Sequence, residues 1–199
     1  MPSAHHIHRR RSIRLKEYDY SQAGVYFLTI CAHKQACLFG EIVDGKMRSN
    51  EAGRTVEQCW DAIPDHFPSM ELDEFVAMPN HIHGIVVLAG EGVACNAPTS
   101  GPGRGVARNA LVSRMSGISP KSGSLAVMIR SFKSAATQRI NALRGAPGTP
   151  VWQRNYYEHI IRDEPELAHI REYIRDNPAR WELDKLHPQS QWEKPCGRV

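Results

Sequence analysis

The sequence predicts an α+β fold in which one antiparallel sheet is covered by helices on one face. Three observations predict it. Runs rich in β-branched and aromatic residues recur at strand length over 24–31, 71–78 and 82–88. Apolar residues recur at helical spacing near 51–63, 124–143 and 164–177. The two kinds of segment come mixed, as strand, hairpin, helix, two strands and two helices, an order that suits a sheet packed against helices.

Taken in order, Gly24-Val-Tyr-Phe-Leu-Thr-Ile-Cys31 reads as the first strand. Cys37 to Val43, the pair Asp44-Gly45 and Lys46-Met47-Arg48 read as a short hairpin on an Asp-Gly turn. Asn50 can cap a helix from Glu51 to Ile63, with Val56, Cys59, Trp60 and Ile63 on one stripe and Pro64 ending it. Two more strands, Glu71 to Met78 and Ile82 to Leu88, join through Pro79-Asn80. Residues 89–123 are rich in Gly, Ser, Pro and Ala without apolar periodicity, and are expected to form a mobile insertion. A helix follows from Ser124 to Leu143, with Leu125, Met128, Ile129, Phe132, Ala136, Ile140 and Leu143 inward, until Gly145 and Pro147 stop it. Asp163 can cap a last helix, Glu164 to Asn177, whose stripe is Leu167, Ile170 and Ile174 and whose end Pro178 forces.

The 199 residues are enough for one well-buried core, so the expectation is a single domain, 1–199, with a basic N-terminal arm (1–16), the insertion (89–123) and a C-terminal tail (183–199). Five cysteines without a CxxC pair read as reduced thiols rather than a zinc knuckle or a disulfide framework. The N-terminal basic run has no apolar segment behind it and no stretch is long enough to span a bilayer, so a cytoplasmic protein with no membrane partner is expected. The net charge of +4 is modest, but its arrangement is not uniform. Arg9, Arg10, Arg11, Arg14 and Lys16 open the chain, and from Gly92 through Tyr157 there is no Asp or Glu, while Arg130, Lys133 and Arg154 fall in that interval. A face of this kind attracts a polyanion, of which a phosphate backbone is the commonest; a solvated tail beside a basic loop is the alternative.

The strongest local motif is Asn80-His81-Ile82-His83-Gly84. Histidines at i and i+2 of a strand point to one face while Ile82 points to the other, and neutral imidazoles side by side can bind a divalent ion without first losing protons. Such pairs also occur on ordinary surface strands. Tyr173 and Asn177, four apart on the last helix, share a face; alone they read as an edge tyrosine and a C-terminal cap. In combination, His81, His83 and the Asn177 amide oxygen make three ligands, with open positions for phosphate oxygens and water and with Tyr173 one turn away. Tyr156 and Tyr157 compete as nucleophile, stacking surface or core, and Tyr18, Tyr20 and Tyr26 compete more distantly. His169, one turn before Tyr173, is a proton relay or an exposed helix histidine; His159 has no assigned role.

Over most of residues 12–181 the chain resembles the HUH single-tyrosine transposases, in particular the REP-associated tyrosine transposases. The likeness is carried by IRLKEYDYSQAGVYFLTI, FVAMPNHIHGIVVL, IRSFKSA, VWQRNYYEHIIRD and REYIRDNPARW; residues 89–123 and 183–199 carry none of it. The resemblance implies the ferredoxin-like HUH nuclease fold. It implies Tyr173 as nucleophile, His81 and His83 as metal ligands and Asn177 as the third, with Mg²⁺ or Mn²⁺ bound; oxygen ligands suit both ions and imidazoles favour Mn²⁺. It also implies cleavage and rejoining of single-stranded DNA through a 5′-phosphotyrosine, on hairpins of repetitive extragenic palindromes. Association with the nucleoid is the further expectation, as is a homodimer, with the monomer left open. The DNA-contact candidates are Arg9, Arg10, Arg11, Arg14, Arg130, Lys133 and Arg154. Two other classes stay open: a hairpin-binding protein without catalysis, and a metal-dependent phosphodiesterase that uses water.

Overall fold

The computed structural model describes residues 22–89 and 124–188. The basic arm with Arg9, Arg10, Arg11 and Arg14, together with Tyr18, Tyr20, nearly all of the insertion and the far part of the tail, lies outside the described residues. Strand β1 (Gly24–Cys31) leads into the hairpin β2 (Gly40–Val43) and β3 (Lys46–Ser49), then α1 (Glu51–Asp61) and the short α2 (Ile63–His66). A second hairpin, β4 (Met70–Met78) and β5 (His81–Leu88), precedes α3 (Leu125–Leu143), β6 (Tyr157–Ile161), α4 (Glu164–Asp176) and a 3-10 turn over Pro178–Leu183. The order β4-β5-β1-β6, antiparallel throughout, with α1 and α3 as the crossovers, is the ferredoxin-like arrangement; β2 and β3 form a separate ribbon.

Local chemistry accounts for most boundaries. Asp44 and Gly45 both take positive φ, 52° and 70°, as a two-residue turn of this hand requires. Asn50 Oδ1 accepts from the Gly53 N–H at 3.0 Å and Asp163 Oδ1 from the Glu166 N–H at 2.9 Å, so both expected caps form. Pro64 does not simply end a helix: it occupies the first turn of α2, where its missing N–H has no helical partner to lose. Leu143, expected inward, is 55% exposed, because the last turn of α3 runs past the core.

Along β1, Tyr26, Leu28 and Ile30 join Ile82 and Val86 of β5 in the main core, closed by Trp60 of α1 and Phe132 of α3. Trp60 lies between Phe75 and Phe132, with ring centroids 4.9 and 5.5 Å away. On the opposite face Phe27, Ile85, Ile161 and Ile174 form a smaller core beneath α4. Thus α1 and α3 cover one face as expected, and α4 adds a second layer on the other. Arg171 of α4 forks onto Asp73 at 3.0 and 2.5 Å and Arg175 pairs with Glu74, both acids lying where the β4–β5 register shifts between Leu72 and Phe75. No helix among the described residues is long and apolar enough to cross a membrane.

Candidate active site

The β5 alternation puts Ile82 in the main core and turns His81 and His83 toward the α4 face, where both are buried. Each ring is held through Nδ1. His81 Nδ1 lies 2.7 Å from Asn80 Oδ1, and His83 Nδ1 lies 2.8 Å from Thr29 Oγ1, Thr29 being the cross-strand partner of His83. Both Nε2 atoms therefore converge, 3.0 Å apart. Burial holds His81 at about 4, against the opposing pull of the Asp184 carboxylate, and holds His83 well below its ordinary range, with His81 adding to the effect. Both imidazoles are neutral at pH 7.

Helix α4 brings Tyr173 to this point. Its hydroxyl is 3.3 Å from His83 Nε2, and its ring stands edge-on to Phe27 at 6.1 Å between centroids. The residue is 40% exposed, so the phenol is held by the site yet open to a substrate. Burial and then the Asp184 carboxylate push its pKa up, while hydrogen bonding from the Asn177 amide acts to lower it. Asn177 is buried at the end of α4, and its Oδ1 has no hydrogen-bond partner among the described residues. An orphaned buried amide oxygen costs stability unless something else meets it.

Sequence reasoning missed Asp184. The turn at Pro178–Leu183 swings it back so that Oδ2 lies 3.9 Å from His81 Nε2, and the candidate ligand atoms of His81, His83 and Asp184 all fall within 4.8 Å of one another. The return is secured by Asn80, whose Nδ2 donates to the Leu186 carbonyl at 2.7 Å. These donors fit a divalent cation: two ligands about 2.1 Å from one ion stand about 3.0–3.4 Å apart, as the two Nε2 atoms do. Two neutral nitrogens, one carboxylate and one amide oxygen suit an ion of intermediate hardness.

A cleft of about 710 Å³ opens over this cluster, with Phe27, Tyr157, Tyr173 and Arg180 on its walls. Arg180 and Lys185 supply cations there that the charge pattern of the sequence did not single out. Tyr157 is 42% exposed beside Phe27, whereas Tyr156 packs partly against the main core. Tyr26 is fully buried and its hydroxyl donates to the Gln22 carbonyl, which removes it from the nucleophile candidates. His159 pairs with Glu166 at 2.7 Å, and His169 is exposed.

The DNA-contact candidates separate. Arg130 is exposed on α3, the helix that packs on the sheet face opposite the histidines. Lys133 spends two of its donors within the chain, on the Gln153 carbonyl at 2.5 Å and the Arg154 carbonyl at 3.2 Å. Arg154 is exposed next to it.

No family model matches the chain. It is 44% identical over 182 residues to an uncharacterized protein of Haemophilus influenzae, covering 91% of this chain and 94% of the relative. Among solved structures it is similar to a REP-associated tyrosine transposase bound to a REP hairpin, with a TM-score of 0.53 at 17% identity over 86% of this chain and 76% of that one. At that identity the likeness shows a shared fold.

Proposed function

We propose, from the premise that the chain belongs to one family with the Haemophilus influenzae protein and has the fold of the REP-associated tyrosine transposases, that it is a DNA strand transferase with Tyr173 as nucleophile. One observation carries the reading: the Tyr173 hydroxyl stands 3.3 Å from one of two converging imidazole nitrogens, beside a buried amide oxygen with no hydrogen-bond partner among the described residues.

His81, His83 and Asn177 would hold the cation, with Asp184 as a further oxygen ligand. When bound, Mg²⁺ or Mn²⁺ withdraws charge from a phosphate. The phenol needs that help, since its ordinary pKa near 10 leaves about one molecule in a thousand ionised at neutral pH and the site pushes the value up. Tyr173 Oη attacks phosphorus, the bond to the leaving 3′ oxygen breaks, the phenolic proton passes to solvent through the open cleft, and the leaving 3′ oxygen takes up a proton from solvent there. The products are a 5′-phosphotyrosine and a free 3′-hydroxyl, and attack by a second 3′-hydroxyl reverses the exchange and reseals the strand. Arg180, paired with Asp176 at 3.1 Å, and Lys185 line the cleft and are its candidate contacts to the DNA backbone. Unpaired or hairpin-foot DNA is the substrate class, because only unstacked bases let a phosphate reach a cleft walled by Phe27 and Tyr157. Every proposed catalytic and ligand residue comes from one chain.

The test is covalent trapping. Incubated with single-stranded oligonucleotides and Mn²⁺, the protein should give a species resistant to denaturation, with the nucleotide mapped by mass spectrometry to Tyr173; Tyr173→Phe should give none while retaining Mn²⁺ and DNA binding. A nucleotide on Tyr157 would move the nucleophile, and no adduct on any tyrosine would remove covalent catalysis.

A further inference from the structure

Gln153 lines the reaction cleft and also a second cavity, of about 850 Å³, that runs between α3 and the 145–154 segment. The α3 wall is the exposed row Ser134, Gln138 and Ala142, spaced four apart and so on one helix face. The facing wall includes Pro147 and Pro150, and Trp152 lies beneath. Among the described residues no Asp or Glu lines the cavity, while Lys133 and Arg154 do. Lys133 stands at the junction: two of its three donors fix the Gln153 and Arg154 carbonyls, and the third has no partner among the described residues.

This combination of the Pro147, Pro150 and Trp152 side chains, uncharged hydrogen-bonding groups and cations with no acid beside them among the described residues complements a polyanion that carries planar apolar rings. We infer that the groove is a second subsite of the strand transferase, seating unpaired nucleotides of the same DNA strand beyond the scissile phosphate, with bases along the Gln138–Ala142 wall and backbone phosphates at Lys133 and Arg154. The inference rests on the reading of the cleft as a DNA site. A paired duplex keeps its bases stacked inside and cannot offer them to a cavity of this size; an unpaired strand can, and Gln153 joins the two cavities into one track. The groove also gives the acid-free interval through Tyr157 a physical purpose, since a single carboxylate on its wall would repel the strand.

Photocrosslinking of the full chain to dT12 carrying 5-iodouracil, followed by peptide mapping, tests it. Two clusters of crosslinks are expected, one in the cleft around Tyr157 and Tyr173 and one in the groove around residues 138–152. Gln138→Trp, at an exposed helical position that tolerates a large side chain, should remove the groove cluster, keep the cleft cluster and weaken dT12 binding on the order of tenfold, the loss of about one seated base. Arg154→Ala should lower the salt slope of binding by about one. Crosslinks confined to the cleft, or a Gln138→Trp variant with unchanged affinity and an unchanged map, would overturn the subsite and leave the cleft reading standing. Absence of crosslinks at both places would remove both.

Discussion

Gly84→Ala adds one methyl group to the strand that carries both histidines. Its Cβ would lie 2.4 Å from Trp60 Cζ2 and 2.7 Å from Cη2, against an ordinary carbon contact of about 3.5–4.0 Å. The indole cannot step aside, because it is 1% exposed and packed between Phe75 and Phe132. Either the indole leaves its place or β5 moves off the main core, and overpacking of this kind costs about 1–3 kcal/mol, the upper end being expected where the opposing group is rigid. For a chain of this size about 3 kcal/mol lowers Tm by roughly 6–12 °C. Displacement of β5 should also weaken Mn²⁺ binding, since His83 precedes the substituted residue. Calorimetric unfolding and Mn²⁺ titration by electron paramagnetic resonance measure both effects. Gly145→Ala is the control: its φ of 59° disfavours a side chain but nothing lies within 4 Å, so about 1 kcal/mol and a fall of roughly 2–4 °C are expected, with Mn²⁺ affinity intact. Equal Tm shifts in the two variants would refute the steric argument.

Two further expectations follow from contacts around the site. Thr29→Val keeps the side-chain shape but removes the oxygen 2.8 Å from buried His83 Nδ1, so Mn²⁺ affinity should fall about 10–100-fold and Tm should fall as well; an unchanged titration would show that the hydroxyl does not orient the ring. The Arg171 hydrogen bond, chiefly, holds the Asp73 carboxyl below its ordinary range, so its contribution to docking α4 is fully present above the unfolded value of about 3.8 and is lost as pH falls through the lower folded value. Asp73→Asn should accordingly unfold at lower temperature than the parent protein near pH 7, with the gap closing below about pH 4; curves of Tm against pH that stay parallel would exclude this.

The histidine platform was legible because strand periodicity assigns faces without knowledge of partners, and the Tyr173–Asn177 pair because helix periodicity does the same. Bringing the two pairs together needs the docking of α4 on β1 and β5. A sign of that second layer was present in β1, where Val25 and Phe27 are apolar on the face opposite Tyr26, Leu28 and Ile30, the pattern of a strand covered on both sides. Strand β6 escaped notice because Tyr-Glu-His-Ile-Ile is short and mixed, and its conformation comes from pairing with β1. Asp184 was not legible at all. Nothing in its spacing relates it to His81, and its approach depends on a 3-10 turn, the Asn80 hydrogen bond to Leu186 and the packing of Trp181 beside His81.

The position of β1 at the centre of the sheet governs when the site can exist during synthesis. Its neighbours arrive late: His83 pairs with Thr29 from 54 residues downstream, and Tyr173 reaches His83 from 90 residues beyond that. A chain emerging from the ribosome carries the paired histidines long before it carries the tyrosine, and until β6 is made one edge of β1 lacks its partner. High contact order of this sort slows folding. It also delays completion of the proposed site until the α4 segment has been released and docked, so an interrupted translation product that stops within α3 carries the histidine pair without Tyr173, Asn177 or Asp184.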